Sequence, residues 1–279
     1  MVRQHSKNMA SISRIHNGII NNGILNVFWL IFVLMIVFLL LIIVGLLTYT
    51  DTKSMATVLQ QPEFHFAVKF TLGTSIIAML LAAAFALPVA YILSRHKIPG
   101  RAFIDTLLDI PIVLPPLVSG IALLIFFGPL FGKQLEQIGI SVVFSQLGVI
   151  IAQWFIATPF AVRSFIQAFG SIDQRMEKVA RTLGFSPTMV FVKVTLPLAR
   201  DGLLGGVMMA WARALGEFGA TAMLAGITRM KTETLSVAVF LNMSIGDMNF
   251  AIATSIVMLI IALLVLAGLK ILSRREVIA

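Results

Sequence analysis

Long apolar segments separated by short polar stretches run along almost the whole sequence. Roughly 20 apolar residues are enough for a helix to cross a lipid bilayer. Six segments reach that length, at about residues 27–47, 66–93, 103–127, 147–169, 202–226 and 250–271. We therefore predict an all-α integral membrane protein in which a tail at residues 1–25 precedes one domain of six transmembrane helices at residues 26–279.

The stretch between the fourth and fifth apolar segments, residues 171–200, is polar and basic and carries helix signals of its own. Ser171 and Gln174 have the spacing of a capping box, which predicts the start of a short helix. Gly184 is placed to end that helix in the left-handed conformation, which glycine adopts without steric cost. The first part of the stretch is therefore predicted to be one short helix.

A second short helix is predicted directly after the turn at Gly184. Ser186 is a favourable N-cap, and Pro187 suits the first helical position after it. Pro197 lacks a backbone N–H and is expected to prevent this helix from continuing past Leu196. Together the signals predict two short helices joined by a tight turn.

The first of these helices is amphipathic. On a helical wheel its apolar residues gather on one side and its basic residues on the other. The apolar side comprises Ile172, Met176, Val179, Ala180 and Leu183, and the basic side comprises Arg175, Lys178 and Arg181. One face is therefore expected to be buried and the other to remain in water.

The third apolar segment contains Pro111, Pro115 and Pro116. Each proline removes a backbone donor, so this helix must be broken or distorted, which a membrane tolerates only where the backbone is buried against protein or lines a wet cavity. Asp105 and Asp109 lie four residues apart near the inner end of the segment. They are either acids at the membrane surface that face basic loops or part of a cation site.

The fifth apolar segment carries a ridge of small residues. They repeat at every fourth position, at Gly202, Gly206, Ala210 and Ala214. Residues four apart share one face of a helix, and small residues there allow another helix to approach closely. We predict that this face packs against a second membrane helix.

Two ionisable residues lie deep in the same segment. Arg213 and Glu217 are four residues apart, with Thr221 one turn further on the predicted helical face. Charges at this depth are costly unless they pair or face water. The two therefore form a local ion pair that braces the helices, or they line a transport path together with Thr221.

Composition supports a membrane protein and charge gives its orientation. Hydrophobic residues make up 59% of the chain and charged residues 12%, with a mean hydropathy of +1.00. Fifteen of the 21 Lys and Arg residues lie on one predicted side, among them Arg3, Lys7, Arg14 and Arg275 in the terminal segments, and five lie on the other. Cytoplasmic loops are enriched in these residues, so both termini and residues 171–200 are predicted to be cytoplasmic. This sorting accounts for the net charge of +9, and no nucleic-acid partner is expected.

The sequence offers no catalytic site of its own. It lacks cysteine and lacks the G-x-x-x-x-G-K-[ST] pattern that cradles nucleotide phosphates. His5, His16, His65 and His96 are scattered without metal-ligand spacing. We expect no catalytic residue, no metal site and no cofactor bound by this chain, so any ATP hydrolysis belongs to another subunit.

A resemblance to a known family lies in residues 171–200. Its motif positions are Ala180, Gly184, Val194, Leu196 and Pro197, which fall at the spacing of the cytoplasmic EAA loop of ABC-importer permeases. Aligned on Gly184, the acidic position of the motif is Lys178, with Glu177 one residue earlier. The resemblance implies that this loop, with Glu177, Lys178 and Arg181, couples the chain to a separate ATPase subunit.

The same resemblance implies an assembly. A permease of this kind is a non-catalytic, multi-pass subunit of the plasma membrane that works as a homodimer in the lipid bilayer. Two ABC ATPase subunits, which bind ATP and Mg, and an extracytoplasmic substrate-binding protein complete the importer. Transport by alternating access is then expected.

A narrower resemblance concerns the substrate. The sequence RALGEFGATAMLAG at residues 213–226, followed by KTETLSVAVF, is similar to the fifth-span region of permeases for tetrahedral oxyanions. Within that group it looks more like the molybdate/tungstate branch than the sulfate/thiosulfate branch. Two alternatives from other classes are an ion-coupled secondary transporter, for which the proline-broken third segment is the supporting feature, and a non-transporting membrane scaffold.

Overall fold

The computed structural model describes residues 2–49 and 52–274, with side chains at residues 25–49 and 55–268, and every regular element in these ranges is helical. The chain divides into two compact units, residues 1–51 and 52–279. The first unit contains α1, Val2–Thr48, whose part Leu25–Thr48 is long and apolar enough to cross a membrane. The charges of Arg3, Lys7, Arg14 and Arg275, which predict cytoplasmic termini, lie outside the described side chains.

The second unit is a bundle of helices joined by short connections. In chain order they are α2 Thr52–Leu59, α3 Pro62–Arg95, α4 Arg101–Val113, α5 Pro116–Ile125, α6 Gly132–Gln137, α7 Gln146–Gly170, α8 Gln174–Thr182, α9 Pro187–Val190, α10 Leu196–Leu215, α11 Gly219–Ala225, α12 Leu235–Ser244 and α13 Met248–Arg274. Two π-helical turns, Phe126–Leu130 and Phe191–Thr195, follow α5 and α9. Within the described ranges the prediction of an all-α chain is confirmed.

Four described helices meet the length and composition of a membrane span: α1, α3, α7 and α13. A fifth span results if α4 and the helical run from Pro116 to Leu130 are taken as one bent crossing. The remaining predicted span, residues 202–226, coincides with α10 and α11, and α10 also carries Arg200, Asp201 and Arg213.

The third predicted segment is broken at its prolines, as predicted. α4 ends at Val113, α5 begins at Pro116, and the helical run from Pro116 to Leu130 is bent by 110° relative to α4. The break falls at Leu114, which has an extended backbone because it precedes Pro115. Pro111, by contrast, is accommodated inside α4. The chain therefore changes direction sharply between α4 and α5.

The fifth predicted segment is also broken, and the prediction of one continuous helix at residues 202–226 is wrong. α10 ends at Leu215, and α11 begins at Gly219. Between them, the carboxylate Oε1 of Glu217 accepts the backbone N–H of Ala220 at 2.9 Å. This side chain satisfies a donor in the first turn of α11 and so starts a new helix instead of extending the old one.

The core forms where α3, α7 and α10 meet, and small residues bring these helices together. A Cβ atom placed on Gly202 would lie 2.5 Å from Cβ of Ala168 on α7, and one on Gly206 would lie 2.8 Å from the Phe165 ring. Ala210 and Ala214 continue the ridge and are fully buried. The predicted close packing of this face is confirmed, with α7 as the neighbour.

A second small-residue ridge, on α3, was not predicted from the sequence. Ala78, Ala82, Ala86 and Ala90 repeat every fourth residue and are fully buried in the same core. Both ridges place minimal side chains between helices, so their backbones lie close together.

α3 also contacts two connecting segments at different depths. Thr71 Oγ1 accepts the backbone N–H of Leu235 at 2.7 Å, whereas Arg95 at the other end donates to Glu177 at 2.8 Å. Along an α-helix these positions are about 36 Å apart, more than the roughly 30 Å of a bilayer core. The start of α12 and the helix α8 are therefore held at opposite ends of a helix long enough to cross a membrane.

Candidate functional site

The helix α8 begins two residues later than a Ser171 N-cap would set. Asp173 is the N-cap, and its carboxylate accepts the N–H of Arg175 at 2.9 Å. Ser171 instead follows the last turn of α7, where its hydroxyl donates to Ala168 O at 2.8 Å. The predicted capping box from Ser171 to Gln174 is therefore wrong, because the hydroxyl is already bonded to the preceding helix.

The end of α8 matches the prediction. Gly184 has φ +90°, in the left-handed region, and the N–H of Phe185 returns to Ala180 O at 3.2 Å. This six-to-one bond is the Schellman arrangement that a glycine at this position favours. A Cβ on Gly184 would meet no atom of the described residues within 4 Å, so backbone conformation rather than space requires glycine here.

The second predicted helix begins as expected but does not stop as expected. Ser186 accepts the N–H of Met189 at 3.3 Å, and Pro187 is the first residue of α9. Beyond Val190 the chain passes through the π turn Phe191–Thr195 directly into α10, with Pro197 near its start. The expected stop at Leu196 is wrong, because the wider π turn accommodates a proline that lacks an N–H.

One side of α8 faces the helical bundle. Ala180 is buried there, and Glu177 Oε1 accepts hydrogen bonds from Arg95 Nε at 2.8 Å and from Thr195 Oγ1 at 2.9 Å. The Arg95 and Glu177 side chains are only 6% and 13% exposed. This contact joins α8 to the end of α3 and to the π turn before α10.

An adjoining side of α8 is left uncovered by the residues whose side chains the structure describes. Met176, Val179 and Leu183 are 53%, 57% and 73% exposed, while Ile172 and Ala180 of the predicted apolar side are buried. Lys178 and Arg181 are exposed as well. An apolar patch next to basic residues on a short, well-capped helix is typical of a surface that receives another protein. We call Met176, Val179 and Leu183 the exposed apolar face of α8.

Aromatic rings of α3, α7 and the π turn pack together beside α8 and α9. Tyr91 on α3 contacts Phe191 in the π turn with ring centroids 4.8 Å apart, and it contacts Phe169 on α7 at 5.5 Å. A cleft of about 520 Å³ opens beside them, lined by residues of α3, α8 and α9 that include Glu177 and Arg181. Of the other motif residues, Val194 and Leu196 are half-buried and Pro197 is exposed.

The ionisable residues of the fifth segment form an ion pair. Arg213 Nη1 lies 3.0 Å from Glu217 Oε2, and the Arg213 guanidinium also lies over the Phe160 ring, 5.9 Å from its centroid. Glu217 is 1% exposed and Thr221 is fully buried, whereas Arg213 is half-buried. Because Glu217 lies in the break and Thr221 in α11, the three do not share the continuous helical face that the sequence predicts.

A further charged cluster joins residues that the sequence analysis did not connect. Arg163 on α7 donates through Nε to Asp109 Oδ1 at 2.7 Å and through Nη2 to the backbone oxygen of Asp105 at 2.9 Å. Asp105 Oδ1 lies 3.3 Å from Arg163 Nη1. Of the two open alternatives, pairing with basic residues is the one observed: Arg163 lies on α7, and Arg101, at the end of the basic link before α4, lies 3.5 Å from Asp105 Oδ2. In the part of the chain with described side chains, no group of three or more His, Asp or Glu residues is arranged to hold a metal ion.

A bundle of long apolar helices that displays a short, uncovered amphipathic helix at one end defines a membrane-spanning subunit of a larger assembly. Comparison with known proteins identifies its family. The chain belongs to the family of binding-protein-dependent transport system inner membrane components, whose family model matches residues 86–277. It is therefore a permease subunit of an ABC importer, a transport component.

Relatives from two transport systems match over most of the chain. The molybdenum transport system permease protein ModB of Mycobacterium bovis is 36% identical over 237 residues, covering 84% of this chain and 89% of the relative. The sulfate transport system permease protein CysT of Salmonella typhimurium is 34% identical over 220 residues, covering 78% and 79%.

Solved structures share the fold. A bacterial alginate ABC transporter in complex with an alginate pentasaccharide-bound periplasmic protein superposes with a TM-score of 0.69 at 17% identity, over 84% of this chain and 87% of that one. At that identity the likeness concerns the fold alone.

Proposed function

We propose that this chain is the membrane-spanning permease of an ATP-driven importer for a tetrahedral oxyanion, molybdate or tungstate, that works by alternating access. The match to the relative named for molybdenum transport covers 89% of that relative's length and supports this substrate. The sequence of residues 213–226 supports it as well. The sulfate permease relative makes sulfate or thiosulfate the alternative.

The single observation that supports the transport mechanism is the exposed apolar face of α8. The helix itself is held against the bundle by the hydrogen bond from Arg95 to Glu177. In the proposed assembly this face, with Lys178 and Arg181 around it, enters a cleft of an ABC ATPase subunit. Ala180 and Gly184 shape the helix and its end, and Val194, Leu196 and Pro197 carry the connection into α10. ATP and Mg are bound by the ATPase and not by this chain.

The proposed orientation places six spans in the plasma membrane with both termini and α8 in the cytoplasm. The counts of Lys and Arg on the two sides support it. The contacts of α8 and Leu235 with opposite ends of α3 support placing residues 226–235 on the outer side, where a substrate-binding protein would dock.

The proposed assembly is a symmetric homodimer with two ATPase subunits. Each α8 serves one ATPase, and a single path forms on the twofold axis between the two permease copies. Closure of the ATPase pair on ATP draws the two α8 helices together and opens the dimer outward, and release of hydrolysis products returns it to the inward-facing state. Such a device is a two-state element biased by a ligand at a distant site.

Arg213 is the proposed contact for the anion along the path. In the described conformation its charge is neutralised by Glu217, and both side chains are largely withdrawn from solvent. We propose that separation of the helices in another state exposes Arg213 and weakens this pair, so that the guanidinium attracts the oxyanion transiently. Tight selectivity then belongs to the binding protein.

Reconstitution tests this function. The chain, purified with its associated proteins, is expected to carry a P-loop ATPase in about one-to-one ratio, and proteoliposomes of the complex with its binding protein are expected to take up labelled molybdate only with ATP. Competition by tungstate but not by excess sulfate supports the molybdate/tungstate branch, and the reverse supports the sulfate branch. Uptake driven by an ion gradient without an ATPase would instead support the secondary transporter.

A further inference from the structure

Glu177 differs from its neighbours on α8 in where its side chain lies. Met176 and Val179 are more than half exposed, whereas Glu177 is 13% exposed and points to the bundle. It also lies one residue before Lys178, which occupies the acidic position of the EAA motif in this chain. The Glu177 carboxylate is therefore committed to the bundle, whereas the side chain of Lys178 is exposed.

One oxygen atom of Glu177 connects three separate elements. Oε1 accepts from Arg95 Nε, in the last residue of α3, and from Thr195 Oγ1, in the last residue of the π turn that leads into α10. Charge-assisted hydrogen bonds are short and have a defined geometry. Moving α8 without breaking these bonds therefore moves the ends of α3 and α10 with it.

Burial makes this joint costly to open. The Arg95 side chain is 6% exposed, and its Nη2 is buried with no hydrogen-bond partner among the described residues. The carboxylate of Glu177 is thus the group that compensates an almost fully buried guanidinium. Breaking a buried pair by removing one partner is strongly unfavourable, because the other charge is left uncompensated.

The neighbouring contacts on this side of α8 do not fix its position in the same way. Ala180 presents one methyl group, and the aromatic contacts of Tyr91 with Phe169 and Phe191 join α3, α7 and the π turn to one another and do not include α8. Apolar contacts are also non-directional. Among the described side chains of α8, Glu177 is therefore the one that hydrogen-bonds this helix to α3 and to the π turn before α10.

We propose that Glu177 is a positioning residue that transmits the displacement of α8 to α3 and α10, and that it acts through Arg95 and Thr195 and not by contact with the ATPase. The inference rests on the proposed function and deepens it, since it separates the residues that receive the ATPase from the residue that passes its motion on. Docking belongs to the exposed apolar face, and transmission belongs to the joint formed by Arg95, Glu177 and Thr195.

The test compares docking with coupling in the reconstituted complex. Glu177→Gln and Arg95→Gln each keep the ATPase at the wild-type ratio and still hydrolyse ATP, but uptake per ATP falls by about fivefold or more, as expected for loss of an interaction between contacting groups. Lys193→Gln, which removes an exposed charge two residues before Thr195, leaves uptake per ATP unchanged. The double reversal Arg95→Glu with Glu177→Arg recovers a large part of what either reversal alone loses.

Two results overturn the inference. If Glu177→Gln removes the ATPase from the complex, Glu177 is a docking contact, and if uptake per ATP is unchanged, the joint is not needed. Should Glu177→Gln fail to insert, Thr195→Val decides, because it leaves both charges in place and is expected to lower uptake per ATP by a smaller factor. Failure of the wild-type complex to bind an ATPase or to transport would contradict the proposed function, a separate outcome from any of these.

Discussion

Arg163 holds Asp109 in a two-point contact, with Nε 2.7 Å from Oδ1 and Nη2 bonded to Oδ2. The contact ties α4 to α7 across 54 positions of the sequence. Hydrogen bonds to charged groups contribute more than neutral ones, so Arg163→Gln is expected to lower the free energy of unfolding by about 2 kcal/mol. Thermal unfolding of the purified chain in detergent measures this.

A weaker pair in the same cluster provides the control. Arg101 Nε lies 3.5 Å from Asp105 Oδ2, and its side chain is about half exposed. Exposed pairs of this kind contribute about 0.5 kcal/mol or less. Arg101→Gln is therefore expected to leave stability nearly unchanged, and equal losses for Arg101→Gln and Arg163→Gln would contradict the clamp between α4 and α7.

The left-handed turn at Gly184 predicts that a substitution there uncouples ATP hydrolysis from uptake without preventing insertion of the chain into the membrane. Gly184→Val places a β-branched residue at φ +90°, which costs about 1–2 kcal/mol or more and distorts the end of α8. The variant is expected to insert normally but to hydrolyse ATP without proportionate uptake. Gly205→Ala, at an open position inside α10, is the control and is expected to be neutral or slightly stabilising. Wild-type hydrolysis and uptake in Gly184→Val would refute the role of this turn.

Close packing of α10 on α7 predicts that substitution of Gly202 destabilises the protein more than the same substitution of Gly205. A side chain on Gly202 would clash with Ala168, whereas no atom in the described part of the chain lies within 4 Å of a Cβ on Gly205. Overpacking costs about 1–3 kcal/mol, so Gly202→Val is expected to lower the thermal transition and Gly205→Val to change it much less. If the two variants unfold alike, the helix interface lies elsewhere.

Accessibility of position 217 tests the proposed path. Glu217 is almost fully buried in this conformation, and the chain has no native cysteine, so Glu217→Cys introduces one thiol. Labelling by a charged aqueous reagent is expected in one nucleotide state of the complex and not in another. Leu80→Cys, on an exposed apolar position of α3, is the lipid-facing control and should stay unlabelled throughout. Protection of position 217 in every state would exclude it from the path.

Local signals explain what the sequence could predict. The turn at Gly184, the start at Ser186 and the break before Pro116 each depend on a few adjacent residues and their backbone preferences. The two wrong predictions in residues 171–200 also concern local features, but the observed structure depends on a neighbouring element in each case. Ser171 was already bonded to α7, and the π turn made room for Pro197.

Non-local contacts explain what the sequence could not predict. Arg163 and Asp109 lie on different helices, and Arg95 and Glu177 are 82 positions apart, so no spacing in the sequence relates them. The exposed apolar face of α8 was expected to be buried, because amphipathicity indicates that a face is covered but not which molecule covers it. The start of a new helix after Leu215 depends on a hydrogen bond from the Ala220 backbone N–H to Glu217, and the sequence pattern had indicated only the charge of that side chain.

The most direct test of the account is a crosslink from α8. Val179→Cys places a single thiol on the exposed apolar face, in a chain that otherwise has none. With a short thiol-reactive photocrosslinker, the functioning complex is expected to give a one-to-one adduct between this chain and the ATPase, and the thiol is expected to react only from the cytoplasmic side. Modification from outside the cell, or the absence of an adduct while ATP-driven uptake proceeds, would contradict the central claim.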